Sequence, residues 1–370
     1  MRAIAVYLSV LVAVISGCRD SSQDDDIIGT IACEPDTMVI TSVDTLGNEL
    51  GGTPDVFAMI VEAAYTQEGN VAVLDAGKIT LQVFSADGAE LLAIGRKGSG
   101  PGEYQLPLGL AVTDYGFVLS DISGGKLLRY DNYGEFIDEI TGFFPIPPVR
   151  IKGAGDRFLA TDIFMDVSEG ELPSISMDFV AFSEGSDPVL VYESYPMDMN
   201  SGMVNSDEAP SFAFAAGPYG EAYIALLSDS MFQLSGYGPQ GEHLLAIEEE
   251  WDRIPLSQEE LEEEEMSISL SIENGESTLG TSRNRRTDTH RNIIEDIGVD
   301  CSGNVWVQMG DTGETYFRIY SPDGILLHIA VPDATIAEDA NYSISPHGLL
   351  AYDSDPQDWP KVYLLQGGGQ

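Results

Sequence analysis

Short apolar segments alternate with glycine-containing turns along most of this chain. In four copies an aromatic residue, three turn residues and a glycine precede a new apolar run. A fifth copy is one residue shorter, and a sixth is cut off by the C-terminus. An aromatic residue at the end of one strand, followed by glycine in the turn, is typical of a β-hairpin. These glycines are Gly88, Gly134, Gly185, Gly241, Gly324 and Gly367.

A second set of glycines precedes the first, 18 to 21 residues upstream in five copies and 30 residues upstream in the third. Two short strands fit between the members of each pair, with one further strand before and one after. Six units of four antiparallel strands predict an all-β fold, a six-bladed β-propeller. The second set consists of Gly69, Gly116, Gly155, Gly220, Gly303 and Gly348.

The two ends of the repeat region indicate how the ring closes. The sixth unit stops after its third strand, and an unassigned strand precedes the first unit. Because an open blade edge would expose unpaired backbone groups, we expect the N-terminal strand to complete the last blade. The prediction is that residues 38–44 pair with residues 361–365, in a propeller that spans 37–370.

An insertion of about 40 residues, 251–292, separates blades four and five. Ser257 and Glu260 have the spacing of a capping box, which favours a helix N-terminus. The sequence therefore predicts a short helix over 258–266 and a loop over 271–281.

The N-terminus has the pattern of a cleaved export signal, with Arg2 followed by the uncharged, largely apolar stretch 3–15. The sequence Ile15-Ser-Gly-Cys18 resembles the lipobox of bacterial lipoproteins. This resemblance implies a signal peptide over 1–17 and a lipid on Cys18. The polar, acidic composition that follows predicts a flexible tether over 18–36. The lipobox resemblance places the protein in the bacterial cell envelope, on the periplasmic or outer-membrane side. The alternative is an ordinary signal peptide with an incidental cysteine.

The run Gly95-Arg-Lys-Gly-Ser-Gly-Pro-Gly-Glu-Tyr104 resembles the connection between blades in NHL-like, six-bladed propellers of bacterial lipoproteins. The resemblance covers residues 37–370 and implies the fold. It implies no single function, because this fold hosts binding scaffolds, lyases and lactonases. The run lacks the ending of a phosphate-binding P-loop, which favours a tight inter-blade turn.

The chain has 61 acidic and 17 basic residues, a formal net charge of −44. Such a surface repels phosphate backbones and excludes nucleic acid as a partner. Adaptation to salt or divalent cations, or a generally acidic proteome, would explain the excess. Cys33 and Cys301 fit a disulfide across neighbouring blades, and two free thiols are the alternative.

One basic cluster stands out in the insertion. Together with the basic pair after blade one, it predicts a ligand-binding face that holds a carboxylate or sulfate group. The alternative, favoured by the excess of acid, is that the cluster pairs with the acidic run 259–265. The candidate residues are Arg96, Lys97, Arg283, Arg285, Arg286 and His290.

No catalytic set is recognisable. The four histidines lack metal-binding spacing, and no G-x-S-x-G motif is present. No cofactor is implied, although calcium could be held by carboxylates in the channel. Aspartates recur at the ends of second strands, where bonds to the local backbone are the simplest role. These are Asp75, Asp121, Asp162 and Asp353.

The leading hypothesis is therefore a lipid-anchored extracytoplasmic scaffold that binds a small ligand or an envelope protein, with no catalysis evident. The rival is a calcium-dependent hydrolase or lyase of the lactonase-like propeller type. A third interpretation is a purely structural partner in an envelope assembly, which would show a large apolar patch on one face.

Overall fold

Twenty-six β-strands and one turn of 3-10 helix form the regular structure of the residues that this computed structural model describes. Those residues are 35–47, 56–143, 146–166, 174–197, 211–258, 260–262, 264–273, 276–285, 288–353 and 359–368. All of them belong to one unit, Pro35–Gln370. Within this part of the chain, no helix has the length and apolar character needed to cross a bilayer.

The strands follow the predicted order, with four strands to a blade. The first is β1 (Asp36–Leu46). Blade one contains β2 (Ile60–Tyr65), β3 (Val71–Asp75), β4 (Thr80–Phe84) and β5 (Glu90–Ile94). Blade two contains β6 (Pro107–Thr113), β7 (Gly116–Asp121), β8 (Lys126–Asp131) and β9 (Phe136–Ile140). Blade three contains β10 (Ile151–Ala154), β11 (Arg157–Asp166), β12 (Ser174–Phe182) and β13 (Leu190–Met197).

The second half of the ring repeats this arrangement around the insertion. Blade four contains β14 (Phe212–Ala216), β15 (Ala222–Leu226), β16 (Met231–Tyr237) and β17 (His243–Glu250). The insertion contributes β18 (Glu264–Glu273) and β19 (Glu276–Arg285). Blade five contains β20 (Ile294–Val299), β21 (Val305–Met309), β22 (Tyr316–Tyr320) and β23 (Leu326–Pro332). Blade six contains β24 (Asn341–Ser345), β25 (Gly348–Asp353) and β26 (Lys361–Gly368), to which β1 adds the fourth strand.

The repeated glycines occupy the turns that the sequence predicted. Ten of them have φ between 65° and 152°, a region that side chains with a Cβ rarely adopt. The first-to-second turns contain Gly69, Gly116, Gly155, Gly220, Gly303 and Gly348, and the third-to-fourth turns contain Gly88, Gly134, Gly241 and Gly324. Hairpin turns at these positions are therefore confirmed.

Six buried apolar clusters lie between neighbouring blades, one at each junction of the ring. The junction between blades six and one joins Leu350 and Val362 to Val71 and Phe84, all fully buried. Because each strand is covered on both faces by adjacent blades, its sequence is apolar throughout. The protein is thus an all-β, six-bladed propeller.

Strand β1 closes the ring as predicted. It pairs antiparallel with β26, from Val39 opposite Gly368 to Leu46 opposite Val362. Its first residues also pair in parallel with β23, so that Met38 lies opposite Ala330. Blades five and six consequently form one eight-stranded sheet, whereas blades one to four are separate four-stranded sheets.

The two ends of the propeller carry different connections. We call the end with the first-to-second and third-to-fourth turns the turn face, and the opposite end the connection face. Strand β1 begins at the turn face, because Val39 lies opposite Gly368 at the end of β26. The chain therefore enters the propeller at the turn face.

The insertion does not form the predicted helix. The capping box is present, with Ser257 N donating to Glu260 Oε2 at 2.8 Å and Glu260 N donating to Ser257 Oγ at 3.2 Å. It starts only one 3-10 turn, Glu260–Glu262. Strands β18 and β19 follow as a hairpin that also covers most of the predicted loop. Serine alternates with apolar residues from 267 to 272, and this two-residue period favours a strand. Repulsion among the preceding glutamates also disfavours continuation of the helix.

Candidate functional site

The innermost strands of the six blades surround a central channel. Each of β2, β6, β10, β14, β20 and β24 contacts its neighbours on both sides. A cavity of about 360 Å³ lies on the axis and is lined by residues from all six blades. Its mouth is formed by first-to-second turns, including Gln67, Asp114, Pro218, Cys301 and His347. The channel cavity therefore opens at the turn face.

Two ion pairs hold opposite charges across the channel. Lys152 Nζ on β10 lies 3.0 Å from both carboxylate oxygens of Glu62 on β2. Arg150 Nη2, just before β10, lies 3.0 Å from both carboxylate oxygens of Asp296 on β20. These residues come from blades one, three and five. We call the four side chains the charged cluster.

The two ion pairs are electrostatically linked through Glu62, which acts on Arg150. The Asp296 carboxylate raises the pKa of Arg150, burial lowers it, and the Glu62 carboxylate raises it further. Burial raises the pKa of the Tyr352 hydroxyl well above its ordinary value, and Glu62 and Asp296 add to this shift. The Tyr352 hydroxyl donates a hydrogen bond to the carbonyl of Val61 at 3.3 Å. Tyr352 therefore remains protonated beside the cluster at neutral pH.

Only one of the two ion pairs borders the cavity. Glu62 and Lys152 line it, with side chains that are 12% and 22% exposed. The cavity wall above them combines apolar side chains such as Leu110, Val112 and Phe214 with polar groups at the mouth. An apolar cavity with a few fixed polar groups is the usual form of a small-ligand site.

Hydrogen bonds between blades hold part of the mouth. Gln67 Nε2 of blade one donates to Asp114 Oδ1 of blade two. The Asp114 backbone N–H then donates to the carbonyl of Gly155 in blade three at 2.8 Å. The rim is thus tied together across blades one, two and three.

The sequence left calcium possible at carboxylates in the channel, and the structure describes how two of these carboxylates are engaged. Glu62 and Asp296 are each bonded to a cationic side chain, which would repel a calcium ion. No group of three or more His, Cys, Asp or Glu side chains that could hold a metal ion occurs among the residues the structure describes.

The basic pair after blade one lies away from the channel cavity. Arg96 is exposed and pairs with Glu103 at 3.4 Å. Lys97 is exposed, and its backbone forms a bridge with Tyr104. The run therefore forms a tight inter-blade turn. A ligand on this part of the connection face remains a prediction.

The predicted residues of the insertion are only partly described. Arg283 and Arg285 lie on β19, opposite Met266 and Glu264, and Arg286 lies outside the described residues. His290 Nδ1 lies 2.9 Å from Thr289 Oγ1 and 3.3 Å from Arg253 Nη2.

His290 also lines a second cavity, of about 550 Å³, near blades five and six. Six carboxylates line this cavity, from Glu260, Asp288, Glu295, Glu314, Glu338 and Asp339. Its arginine, Arg291, is bonded to Glu260 at 2.6 Å. Arg291 is the last residue of the basic cluster, 283–291, and its pair with Glu260 is one instance of the alternative in which that cluster pairs with the acidic run 259–265.

The predicted cysteine chemistry falls mostly outside the described residues, which begin at Pro35 and so exclude Cys18 and Cys33. Cys301 is exposed in the turn between β20 and β21. Its placement on the face where β1 begins agrees with the topology behind the disulfide prediction. The bridge itself remains a prediction.

Two of the four recurring aspartates, Asp75 and Asp121, bond to backbone that lies farther away in sequence than the local turn, whereas Asp162 accepts from the N–H of the next residue, Ile163. Asp75 accepts hydrogen bonds from the N–H groups of Ala58, Met59 and Lys78 at 2.8–3.0 Å. Asp121 similarly accepts from Gln105 and Leu106. The Asp75 and Asp121 carboxylates thus each tie the end of a second strand to the connection that enters its own blade.

The charged cluster was not predicted, although the sequence contains a signal for it. Glu62, Lys152 and Asp296 each lie within an otherwise largely apolar first strand. A charged residue in such a strand is unexpected, because both sheet faces are packed against neighbouring blades, and the channel wall is where Glu62 and Lys152 meet.

A comparison with known protein families agrees with the fold. The family model DUF5128, described as a 6-bladed beta-propeller, matches residues 56–147, which include blades one and two. No curated protein sequence matches the chain. The chain is similar to a solved gluconolactonase from Xanthomonas campestris, with 12% identity, coverage of 84% of this chain and 87% of that chain, and a TM-score of 0.42.

Two further solved structures are similar at the same level. A calcium-binding protein, regucalcin, from Agrobacterium tumefaciens has 11% identity, coverage of 90% and 97%, and a TM-score of 0.43. A member of the DUF4221 family from Bacteroides vulgatus has 9% identity, coverage of 91% and 98%, and a TM-score of 0.43. Identities this low leave the activity of the chain to be argued from its own residues.

Proposed function

We propose that this protein is a lipid-anchored extracytoplasmic scaffold that binds a small polar ligand in its channel cavity. The observation that carries the proposal is the Glu62–Lys152 pair at the wall of a cavity open to the turn face. A lysine ammonium has three donors, and an ionised carboxylate has about four acceptor positions. The pair uses only part of this capacity on itself, and the remainder is available to a ligand.

The energetics of the charged cluster support a role beyond stability. Removing charges from water costs several kcal/mol per ion, and replacing such pairs by apolar side chains is often neutral or stabilising. A propeller channel filled with aliphatic residues would therefore be at least as stable. The pair that borders the cavity, Glu62 and Lys152, is better explained by recognition of a ligand that needs a donor and an acceptor side by side.

The ligand hypothesis is tested on residues 19–370, which lack the anchoring cysteine. We expect a panel of small polar compounds to include at least one that raises the melting temperature, with binding then measured by calorimetry. The double variant Glu62→Gln/Lys152→Met should lose that binding while retaining its circular dichroism spectrum. Lys78→Gln is the matched control, since it alters an exposed charge in the β3–β4 turn on the connection face, lines neither the cavity nor its mouth, and should bind normally.

The rival function is distinguished in the same assay by adding millimolar CaCl₂ or EDTA. Stabilisation by calcium that is lost in Glu62→Gln would favour a calcium-dependent hydrolase or lyase, and would count against the binding scaffold. Binding of none of the compounds, combined with stable association with an envelope protein, would favour the purely structural role.

The anchor rests on the sequence pattern around Cys18 and is tested separately. When the full chain is expressed in a bacterial host, we expect metabolic labelling with a fatty acid to modify it and membranes to retain it. Cys18→Ser should abolish both. Retention of the label in Cys18→Ser would contradict lipidation at this residue.

A further inference from the structure

A surface groove continues from the channel cavity across the turn face. It has a volume of about 330 Å³ and shares Asp114, Gly155 and Pro218 with the cavity. From these residues it extends over blades three and four, where Arg157, Tyr192 and Tyr219 line it. The cavity and the groove therefore form one continuous binding surface.

The groove presents an exposed aromatic ring on a turn whose backbone is fixed by hydrogen bonds. Tyr219 is 78% exposed, in the turn between β14 and β15. That turn is fixed by the Tyr219 N–H donating to Glu221 Oε2 at 2.9 Å and by the Gly217 N–H donating to the Glu221 carbonyl, also at 2.9 Å. A tyrosine side chain has only two χ angles to order, so on a fixed turn it contributes contact area at low entropic cost.

Polar groups surround this ring. Arg157 Nη1 donates to the carbonyl of Pro239 at 3.2 Å, and Arg157 Nε lies 3.8 Å from Asp156 Oδ1. A guanidinium has five N–H donors, so several remain for a ligand. Burial raises the pKa of Tyr192, which keeps its hydroxyl protonated. The groove thus offers donors and acceptors beside an apolar ring.

Charge selects against ionic ligands on this surface. Lys152 and Arg157 are its cations, and Glu62, Asp114 and Asp156 are its carboxylates. The local charges nearly cancel, whereas the whole chain carries a net charge of −44 that repels anions. A neutral ligand rich in hydroxyl groups satisfies the paired donors and acceptors without adding an unbalanced charge.

We propose that the channel cavity and the groove together bind a neutral oligosaccharide. One terminal sugar occupies the cavity, where its neighbouring hydroxyls bond to the Glu62 carboxylate and the Lys152 ammonium. The following sugar lies in the groove with its C–H face against Tyr219 and its hydroxyls toward Arg157. This inference rests on the proposed function, because it names the ligand class of the same cavity.

The groove suits a sugar chain better than a peptide. An extended peptide needs partners for its backbone N–H and C=O groups, usually supplied by a free strand edge. This groove is lined largely by turn residues, and Pro218 and Pro239 have no N–H to donate. Sugar hydroxyls both donate and accept, so the side chains and carbonyls present can satisfy them.

The test uses residues 19–370 and calorimetric titration with gluco-, manno-, xylo- and chito-oligosaccharides, each from the mono- to the tetrasaccharide. In at least one series we expect affinity to rise by about tenfold from the mono- to the disaccharide, as one added aromatic contact would give. Tyr219→Ala should abolish that increase while leaving monosaccharide affinity unchanged. The Glu62→Gln/Lys152→Met variant should lose binding of the sugars of every length, from mono- to tetrasaccharide.

Tyr133→Ala is the matched control. Tyr133 is 83% exposed in a turn on the same face but lines neither the cavity nor the groove, so this variant should bind as the unmodified chain does. Binding of sugars without an effect of chain length would overturn the groove inference and leave the proposed function standing. If the protein binds none of the sugars, the oligosaccharide assignment is overturned. The same holds if it binds uncharged tetrapeptides in place of sugars.

Discussion

Asp162 is a buried carboxyl group in blade three whose ionisation opposes folding. It lies on β11 directly opposite Asp178 of β12, and its carboxylate accepts a hydrogen bond from the N–H of Ile163 at 2.9 Å. Burial raises its pKa to about 7, with repulsion from Asp178 adding to the shift and the bond from Ile163 opposing it. The folded protein therefore keeps a proton here that the unfolded chain loses near pH 4.

This difference makes stability fall as pH rises. Between about pH 4 and 7 the folded state binds more protons at Asp162 than the unfolded state, so the contribution present below pH 4 is lost as pH approaches 7. Asp162→Asn stays neutral throughout. Its melting temperature should exceed that of the unmodified protein by a few degrees more at pH 8 than at pH 4.

Calorimetry at both pH values measures this change for Asp162. Many other carboxylates titrate in the same range. The quantity compared at each pH is therefore the difference in melting temperature between the variant and the unmodified protein. Asp187→Asn, an exposed aspartate in the β12–β13 turn, is the control and should show equal differences at the two pH values. Equal differences for Asp162→Asn as well would contradict the assigned pKa.

The Glu62–Lys152 pair should show strong coupling in a double-mutant cycle. Lys152→Met leaves the Glu62 carboxylate without its nearest cation, and Glu62→Gln leaves the ammonium without its carboxylate. Each change is expected to lower the free energy of unfolding by about 2–4 kcal/mol. The double variant should lose clearly less than the sum of the two. Urea unfolding provides the values, and strict additivity would show that the two side chains do not interact.

The charged cluster also shows which part of a binding site the sequence pattern does not predict. Glu62, Lys152 and Asp296 can be marked as unusual because each interrupts a mostly apolar strand. Their pairing depends on distances across the channel between blades that are far apart in sequence. Arg150 lies before strand β10, so it does not interrupt an apolar strand and cannot be recognised in this way. Long-range partners of this kind are set by ring geometry, which local periodicity does not encode.

At the scale of elements, turns were more predictable than the insertion. The turn glycines are required by positive φ, so they identify hairpins from sequence alone. Ring closure by β1 followed from an unpaired strand at each end of the repeat. The capping box at Ser257 also formed, yet the alternation of serine with apolar residues after Met266 determined a hairpin. A local start signal was outweighed by the period of the segment that follows it.

Strand β1 should be essential for an intact ring. Ile40 is fully buried in the cluster between blades five and six, and β1 pairs with strands on both sides. A chain that begins at Pro35 should be monomeric and unfold cooperatively. A chain that begins at Gly47 exposes the edges of β23 and β26 and should aggregate or melt at a much lower temperature.

Size-exclusion chromatography and calorimetry distinguish the two chains. A synthetic peptide with the sequence of residues 36–46 should restore the Gly47 chain, because it can occupy the vacant position between β23 and β26. A scrambled peptide of the same composition should not. Equal stability of the two truncated chains would contradict closure by β1.

At the scale of the whole molecule, six apolar junctions hold the blades together against considerable charge repulsion. The net charge of −44 is spread over the sequence and not confined to one segment. Self-repulsion of this kind destabilises the compact state and is screened by salt. The ring should therefore be more stable at higher ionic strength.

We expect the melting temperature to rise steadily when NaCl increases from about 10 mM to about 300 mM, over which the screening length falls from about 30 Å to below 10 Å. Scanning calorimetry measures the shift. The same titration with KCl controls for an effect specific to sodium. A melting temperature independent of salt would mean that the carboxylates are already neutralised by local partners.

The double pairing of β1 has a mechanical consequence. The strand is bonded to β23 over residues 36–40 and to β26 over residues 39–46, with its first residue at the turn face. Tension on the polypeptide upstream of Pro35, directed along the strand axis, would load these bonds in shear. They would have to break together, not one after another as in unzipping. Strand β1, which closes the ring, is thus oriented to resist a pull from the N-terminal side of the chain, where an anchor would act.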